Sequence, residues 1–136
     1  GFLVKLDTNG SFPEVLEQAL PYIDYVAMDI KAPVEKYSDI VRVKINPDKI
    51  RESISLIMKS GVDYEFRTTV VRSQLSYGDF EKIGVMIKGA KRYYLQKFVP
   101  SITLDENMMK ETTYSNAEFE AIKDILSEYI DNVVIR

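Results

Sequence analysis

The sequence contains no cysteine and no histidine, and these two absences remove whole classes of chemistry. Thiolate and imidazole are the usual soft metal ligands, and histidine is the common acid and base near neutral pH. Zinc sites of that kind, cysteine nucleophiles and a Ser-His-Asp triad are therefore excluded. The lack of thiols leaves the redox compartment open. No apolar run approaches the roughly 20 residues that a membrane-spanning helix needs, so no membrane partner is expected. A basic stripe is missing too. Eighteen Lys and Arg stand against 21 Asp and Glu, for a formal net charge of -3. The cations are dispersed among acids, so nucleic acid is not an expected partner. No signal-peptide pattern is present, which makes the cytoplasm the expected location. Glycine loops of the GxGxxG or Walker type follow no strand, because Gly10 is single and Gly61, Gly84 and Gly89 lie at helix ends or inside a helix.

What is present reads as one domain over residues 1–136. A chain of 136 residues with 46% hydrophobic and 29% charged residues can bury about two-thirds of its unfolded surface around one core. Phe2 to Leu6 reads as a strand closed by the turn Asp7-Thr8-Asn9-Gly10. Pro13 opens a helix whose inward stripe is Val15, Leu16, Ala19 and Leu20. Tyr25 to Ile30 is nearly continuous in apolar character, which suggests a strand covered by helices on both faces. Lys31 to Ile45 is a connection with a helical turn around Glu35 to Asp39. Asn46-Pro47-Asp48 starts a helix lined by Ile50, Ile54, Ile57 and Met58 and stopped by Gly61. Tyr64 to Val71 is a third strand. Ser76 and Asp79 form a capping box before a helix lined by Phe80, Ile83 and Ile87, and Arg92 to Val99 is a fourth strand ended by Pro100. Ser101 to Tyr114 shows no period and reads as a long loop (100–114), a candidate lid or substrate loop. Ser115 and Glu118 cap a last helix lined by Phe119, Ile122, Leu126 and Ile130, and Val133 to Ile135 close the order β-α-β-α-β-α-β-α-β. Such alternation implies a parallel sheet with right-handed crossovers. The expected fold class is α/β, a partial TIM-like (β/α) barrel of about five parallel strands; an open flavodoxin-type sheet is the runner-up.

Ligands of parallel α/β folds bind at the carboxyl ends of the strands. The first strand ends in Asp7-Thr8-Asn9-Gly10 and the second in Asp29 and Lys31. The third carries Arg67, Thr68 and Thr69, and the fourth Gln96 and Lys97. Two carboxylates, two cations and several hydroxyl and amide groups on one rim suit a zwitterionic, amino-acid-like ligand or a hard cation. Plainer readings stand beside this. Asp7 to Gly10 serves equally as a simple turn, Asp29 with Lys31 as a structural ion pair, and Arg67 as a partner of Glu65 on its own strand face. Tyr93 and Tyr94 read as packing, and Glu81, Lys82 and Lys88 as a solvated helix face.

KLDTNG, DYVAMDIKAP, SGVDYEFRTTVV and AKRYYLQKF, in this order and spacing, resemble the later part of radical SAM proteins. The similar ones are the glycyl-radical-enzyme activating enzymes, above all the anaerobic ribonucleoside-triphosphate reductase activating proteins, with pyruvate formate-lyase activating enzymes nearby. The resemblance covers residues 2 to 99 and weakens after Pro100. It implies an oxidoreductase in which a 4Fe-4S cluster, held by a CxxxCxxC loop, cleaves S-adenosylmethionine so that a hydrogen is taken from a glycine of a partner glycyl-radical enzyme. A chain without cysteine cannot hold that cluster. Since the chain opens at Gly1 and enters a strand at once, the expectation is a C-terminal part lacking the CxxxCxxC segment and inactive alone. Matched by motif, Asp7 and Thr8 correspond to the strand-end DT and Asp29 and Lys31 to the DxK. Cofactor-binding residues implied in this way are Asp7, Thr8, Asn9, Asp29, Lys31 and Arg67, with a monovalent cation bridging Asp7 and Asp29. Arg67 offers a planar fork of donors to a carboxylate. Val99 stands before Pro100 where the reductase activators usually have Arg.

Two alternatives remain. One is a cluster-free α/β interaction module whose exposed first strand, residues 1 to 8, pairs with a partner or makes a homodimer. The other is a barrel fragment that binds a phosphorylated metabolite at the same rim.

Overall fold

The computed structural model describes residues 1–102 and 104–136. Five parallel strands form one sheet in the order β1-β2-β3-β4-β5: β1 (Lys5–Thr8), β2 (Tyr25–Asp29), β3 (Asp63–Val70), β4 (Tyr93–Lys97) and β5 (Val133–Ile135). Between them run α1 (Pro13–Ala19), α2 (Tyr37–Val41), α3 (Pro47–Lys59), α4 (Tyr77–Met86), α5 (Glu106–Thr112) and α6 (Asn116–Ser127). Sequential strand order with right-handed crossovers never reverses the winding, so the crossover helices stay on one side of the sheet. This is the pattern of a partial TIM-like barrel and not of the flavodoxin-type sheet, whose winding reverses.

The local signals behind the long helices are met as read. The Asn46 side chain accepts from the Asp48 backbone N–H at 3.0 Å, with Pro47 in the first turn. Ser76 with Asp79 and Ser115 with Glu118 make both halves of a capping box. Asp79 has a second duty, since the Lys36 ammonium donates to it at 2.6 Å and ties the β2–α3 connection to α4. Burial pushes the Asp79 carboxyl up, but the hydrogen bonds from Lys36 and Ser76 outweigh this and hold it below its ordinary value.

One core joins the helices to one face of the sheet. Val26 and Met28 of β2, Tyr64, Phe66 and Val70 of β3, and Tyr93 and Leu95 of β4 pack with Leu16, Ile50, Ile54, Ile57, Phe80, Ile83, Phe119, Ile122 and Leu126. The alternate residues are mostly polar: Lys5, Asp7, Tyr25, Asp29, Asp63, Glu65, Arg67, Thr69 and Gln96. The expectation that β2 is covered on both faces is thus corrected. Its apolar run contains Ala27, a small residue on the polar side, and Ala27 hides the alternation of Tyr25 and Asp29.

Three other expectations are corrected. The first strand begins at Lys5 and not at Phe2. Its pairing starts where β2 begins, with the Val4 carbonyl accepting from the Asp24 and Tyr25 N–H groups. Phe2 and Leu3 extend past their neighbour and lie exposed. On α1, Val15 faces solvent, because a helix of seven residues turns only Pro13 and Leu16 fully inward. The segment 101–114 is not all loop, for α5 occupies Glu106–Thr112, with the Asp105 side chain accepting from the Met108 N–H at 2.8 Å. None of its residues is buried, so no apolar period could betray it; only Asp105, a good cap, was a signal. Thr103 of that segment lies outside the described residues.

Candidate functional site

Register decides which candidate residues meet. Asp7 stands opposite Ala27, and Asp29 opposite Arg67, so Asp7, Asp29 and Arg67 rise from three neighbouring strands at their carboxyl ends, all on the helix-free face. Arg67 Nε donates to Asp29 Oδ1 at 3.2 Å, while Arg67 Nη1 lies 3.7 Å from Asp7 Oδ1. Lys31 Nζ is 3.7 Å from Asp29 Oδ2, and Lys5 Nζ is 3.9 Å from Asp7 Oδ1. Arg67 is the most enclosed of the group, with 17% of its side chain exposed against 36% for Asp29 and 63% for Asp7. The two acids are therefore bridged by a guanidinium. Among the described residues no three acids, cysteines or histidines gather to hold a metal ion.

Thr8 and Asn9 do not join this cluster. Thr8 Oγ1 accepts from the Gly10 N–H at 3.1 Å and Asn9 Oδ1 from the Ser11 N–H at 2.9 Å, so both side chains brace the loop after β1, as a plain turn requires. That loop is fixed from outside as well. The buried Ser53 hydroxyl of α3 donates to the Gly10 carbonyl at 2.7 Å. Gly10 has φ +74°, and a Cβ there would run into the Met28 side chain, so only glycine holds the loop this close to β2.

The alternative pairing of Arg67 with Glu65 is not what forms. Glu65 Oε1 accepts from the Tyr25 hydroxyl at 2.9 Å, and Arg67 turns to the acids of the neighbouring strands. The ion pair of Asp29 with Lys31 exists but is long. Of the fourth-strand residues, Gln96 faces the polar side. Lys97 belongs to the helix side, where its ammonium donates to Asn116 Oδ1 at 2.7 Å.

A residue absent from the candidate set positions this rim. The Tyr37 hydroxyl of α2 accepts from the Lys31 N–H at 3.0 Å and donates to the Asp29 carbonyl at 3.3 Å. The Arg67 carbonyl accepts from the Ile30 N–H at 2.7 Å, and the Thr68 hydroxyl donates to the Ile30 carbonyl at 2.5 Å. The backbone from Asp29 to Lys31 is thereby held on each side. Burial above all pushes the Tyr37 hydroxyl up to about 12, so it keeps its proton and its donor role through the neutral range. In sequence Tyr37 is one aromatic residue in a connection, and nothing local marks it as a clamp.

No protein-family profile matches the chain. It is 37% identical over 142 aligned positions to a protein of Methanocaldococcus jannaschii named "Putative glycyl-radical enzyme activating enzyme MJ1227". The match runs along 100% of this chain and 59% of that relative, so the chain spans about three-fifths of the relative's length. Among solved structures, a domain of pyruvate-formate lyase-activating enzyme from Bacteroides vulgatus superposes with a TM-score of 0.79. The superposition covers 100% of this chain and 82% of that one at 12% identity, and so speaks for the fold. The resemblance carried by KLDTNG, DYVAMDIKAP and SGVDYEFRTTVV is borne out: along its whole length this chain is similar to a protein named as a putative glycyl-radical enzyme activating enzyme.

Proposed function

We propose that this chain is the C-terminal barrel part of a radical SAM activating enzyme, which uses S-adenosylmethionine and a 4Fe-4S cluster to generate a glycyl radical on a partner glycyl-radical enzyme. The partner is of the anaerobic ribonucleotide reductase or pyruvate formate-lyase type. The observation that carries this reading is the meeting of Asp7, Asp29, Lys31 and Arg67 at the carboxyl ends of adjacent parallel strands. A zwitterion needs both signs of charge, and these side chains supply them. Arg67 and Lys31 would hold the carboxylate of the cofactor's amino-acid end, and Asp7 and Asp29 its ammonium or a monovalent cation beside it. When bound, S-adenosylmethionine supplies the hydrogen-abstracting chemistry. The residues present do not fit the cluster, since the chain has no cysteine. The chain's own contribution is to bind and orient, and by itself it is expected to be inactive.

The test is anaerobic iron-sulfur reconstitution of the complete gene product, followed by assays of S-adenosylmethionine binding and reductive cleavage. Asp29→Asn is expected to weaken cofactor binding roughly tenfold, because a charge-assisted contact is lost. Thermal stability should change little, Asp29 being part-exposed. Cofactor affinity unchanged in both Asp7→Asn and Asp29→Asn would remove the site assignment.

One observation favours a second reading. β1 is an edge strand, and Phe2 and Leu3 beside it are 100% and 88% exposed, which suits homodimerisation through residues 1 to 8. Sedimentation of the chain across a concentration series should then show a dimer that Leu3→Lys dissolves. A monomer throughout ends this reading.

A further inference from the structure

The pair Asn9-Gly10 carries a reactivity that the rim does not use. Asn9 is the one asparagine of the chain followed by glycine; the others precede Pro47, Met108, Ala117 and Val133. Glycine has no side chain to shield its backbone nitrogen or to restrict its rotation, so in a free chain that nitrogen attacks the Asn9 carboxamide. A bond forms between the Gly10 nitrogen and Asn9 Cγ, the Cγ–Nδ2 bond breaks, and ammonia leaves with the proton of the Gly10 amide. Water then opens the five-membered imide at either carbonyl and leaves aspartate or isoaspartate. One water is consumed and one ammonia released, with no oxidant or reductant.

Asn9 stands exposed to water, yet the fold engages each group that the reaction needs. The Gly10 N–H donates to Thr8 Oγ1 at 3.1 Å, which keeps the proton on the attacking nitrogen. The Asn9 carboxamide is turned forward along the chain, its Oδ1 accepting from the Ser11 N–H at 2.9 Å. The peptide unit between them cannot swing to bring nitrogen onto Cγ, because Gly10 is fixed on its far side. Its carbonyl accepts from the buried Ser53 hydroxyl at 2.7 Å. Gly10 is itself buried, with its Cα against the Met28 side chain. Attack therefore requires the loop to come away from both α3 and β2.

We propose that Asn9 is a site of conversion to aspartate and isoaspartate, held off in the folded protein by Thr8 and Ser53 and exposed to reaction when the loop leaves them. The rate is that of the free chain multiplied by the fraction of time the loop stands open. The two products mark the loop differently. Aspartate adds a negative charge two residues from Asp7. Isoaspartate carries the chain through the side-chain carboxyl and lengthens the backbone by one methylene, so Gly10 no longer fits between Thr8 and Ser53. The chemistry is that of the chain and water alone, whatever the rim binds.

The test follows isoaspartate at residue 9 by peptide mapping of the complete protein, aged at mildly alkaline pH both folded and in urea, with no cofactor present. Folded wild type is expected to convert at least roughly tenfold more slowly than the unfolded chain. Thr8→Val removes the acceptor at equal size, and Ser53→Ala frees the Gly10 carbonyl. Each should speed the folded reaction several-fold, while Thr8→Ser, which keeps a hydroxyl, should restore the slow rate. Ile122→Val loosens the core under α6, away from the loop, and should leave the rate unchanged. If Ser53→Ala does not fold, the two Thr8 variants decide. Folded wild type converting as fast as the chain in urea, or Thr8→Val converting no faster than wild type, overturns the protection by the loop. Equal acceleration by Ile122→Val overturns it too, because the opening would then be that of the whole fold.

Discussion

Replacing Arg67 by methionine in the complete protein is expected to weaken S-adenosylmethionine binding roughly 100-fold, a larger loss than at any other rim position. Methionine keeps most of the length and the apolar stem and removes only the guanidinium. Arg67 is the least exposed of the rim cations and lies within ion-pair distance of both acids, so no neighbour replaces it. Its removal also leaves Asp7 and Asp29 without their bridge. The two acids then repel, and cofactor binding should come to depend on the concentration of a monovalent cation, which the wild type would show only weakly. Folding stability should fall by no more than about 1 kcal/mol, because Asp7 is exposed and Asp29 part-exposed. Equilibrium dialysis with labelled cofactor at low and high potassium checks both parts. An unchanged affinity would mean that the cofactor's carboxylate is held elsewhere.

The second large effect is alkaline. Tyr37 and Tyr93 are buried with their hydroxyls in hydrogen bonds, Tyr37 to the backbone of Asp29 and Lys31 and Tyr93 to Thr68. Burial pushes both hydroxyls up, Tyr37 to about 12 and Tyr93 further. An unfolded tyrosine ionises near 10. Between pH 10 and 12 the folded state therefore binds more protons than the unfolded state, and stability must fall as pH rises. Full below pH 10, the contribution of Tyr37 is lost as pH passes 12 and amounts to about 3 kcal/mol, with Tyr93 adding to the fall beyond. Urea unfolding midpoints should be flat from pH 8 to about 9.5 and drop steeply above. In Tyr37→Phe the first part of that drop should disappear. Midpoints flat to pH 12 would show that the hydroxyls titrate without unfolding the core.

Features that depend on neighbours three or four residues apart were legible in the chain. Asn46 before Pro47, Ser76 with Asp79 and Ser115 with Glu118 are caps whose partners lie within one turn, and all three helices start where these residues say. The strands alternating with them were legible for the same reason, from short apolar runs bounded by turn residues. α5 was not, because a helix that buries nothing has no apolar stripe. The limits of β1 were not either, since a strand extends only as far as its neighbour pairs with it.

The candidate site divides along the same line. Sequence by itself determined the residue types at the strand ends, and with them a rim of mixed charge made of Asp7, Asp29, Lys31 and Arg67. It also determined what the chain cannot do, because no arrangement of residues replaces missing cysteine ligands. Only the tertiary structure decided who meets whom. Asp29 and Arg67 are 38 positions apart and touch because the β2–β3 register places them side by side. Thr8 and Asn9 are neighbours of Asp7 and yet serve the backbone of their own loop. Tyr37 clamps the rim from a connection, and Glu65 faces Arg136 across β4. Local contacts are written in spacing along the chain, whereas contacts across a parallel sheet are set by register and crossover, which arise when the whole core packs at once.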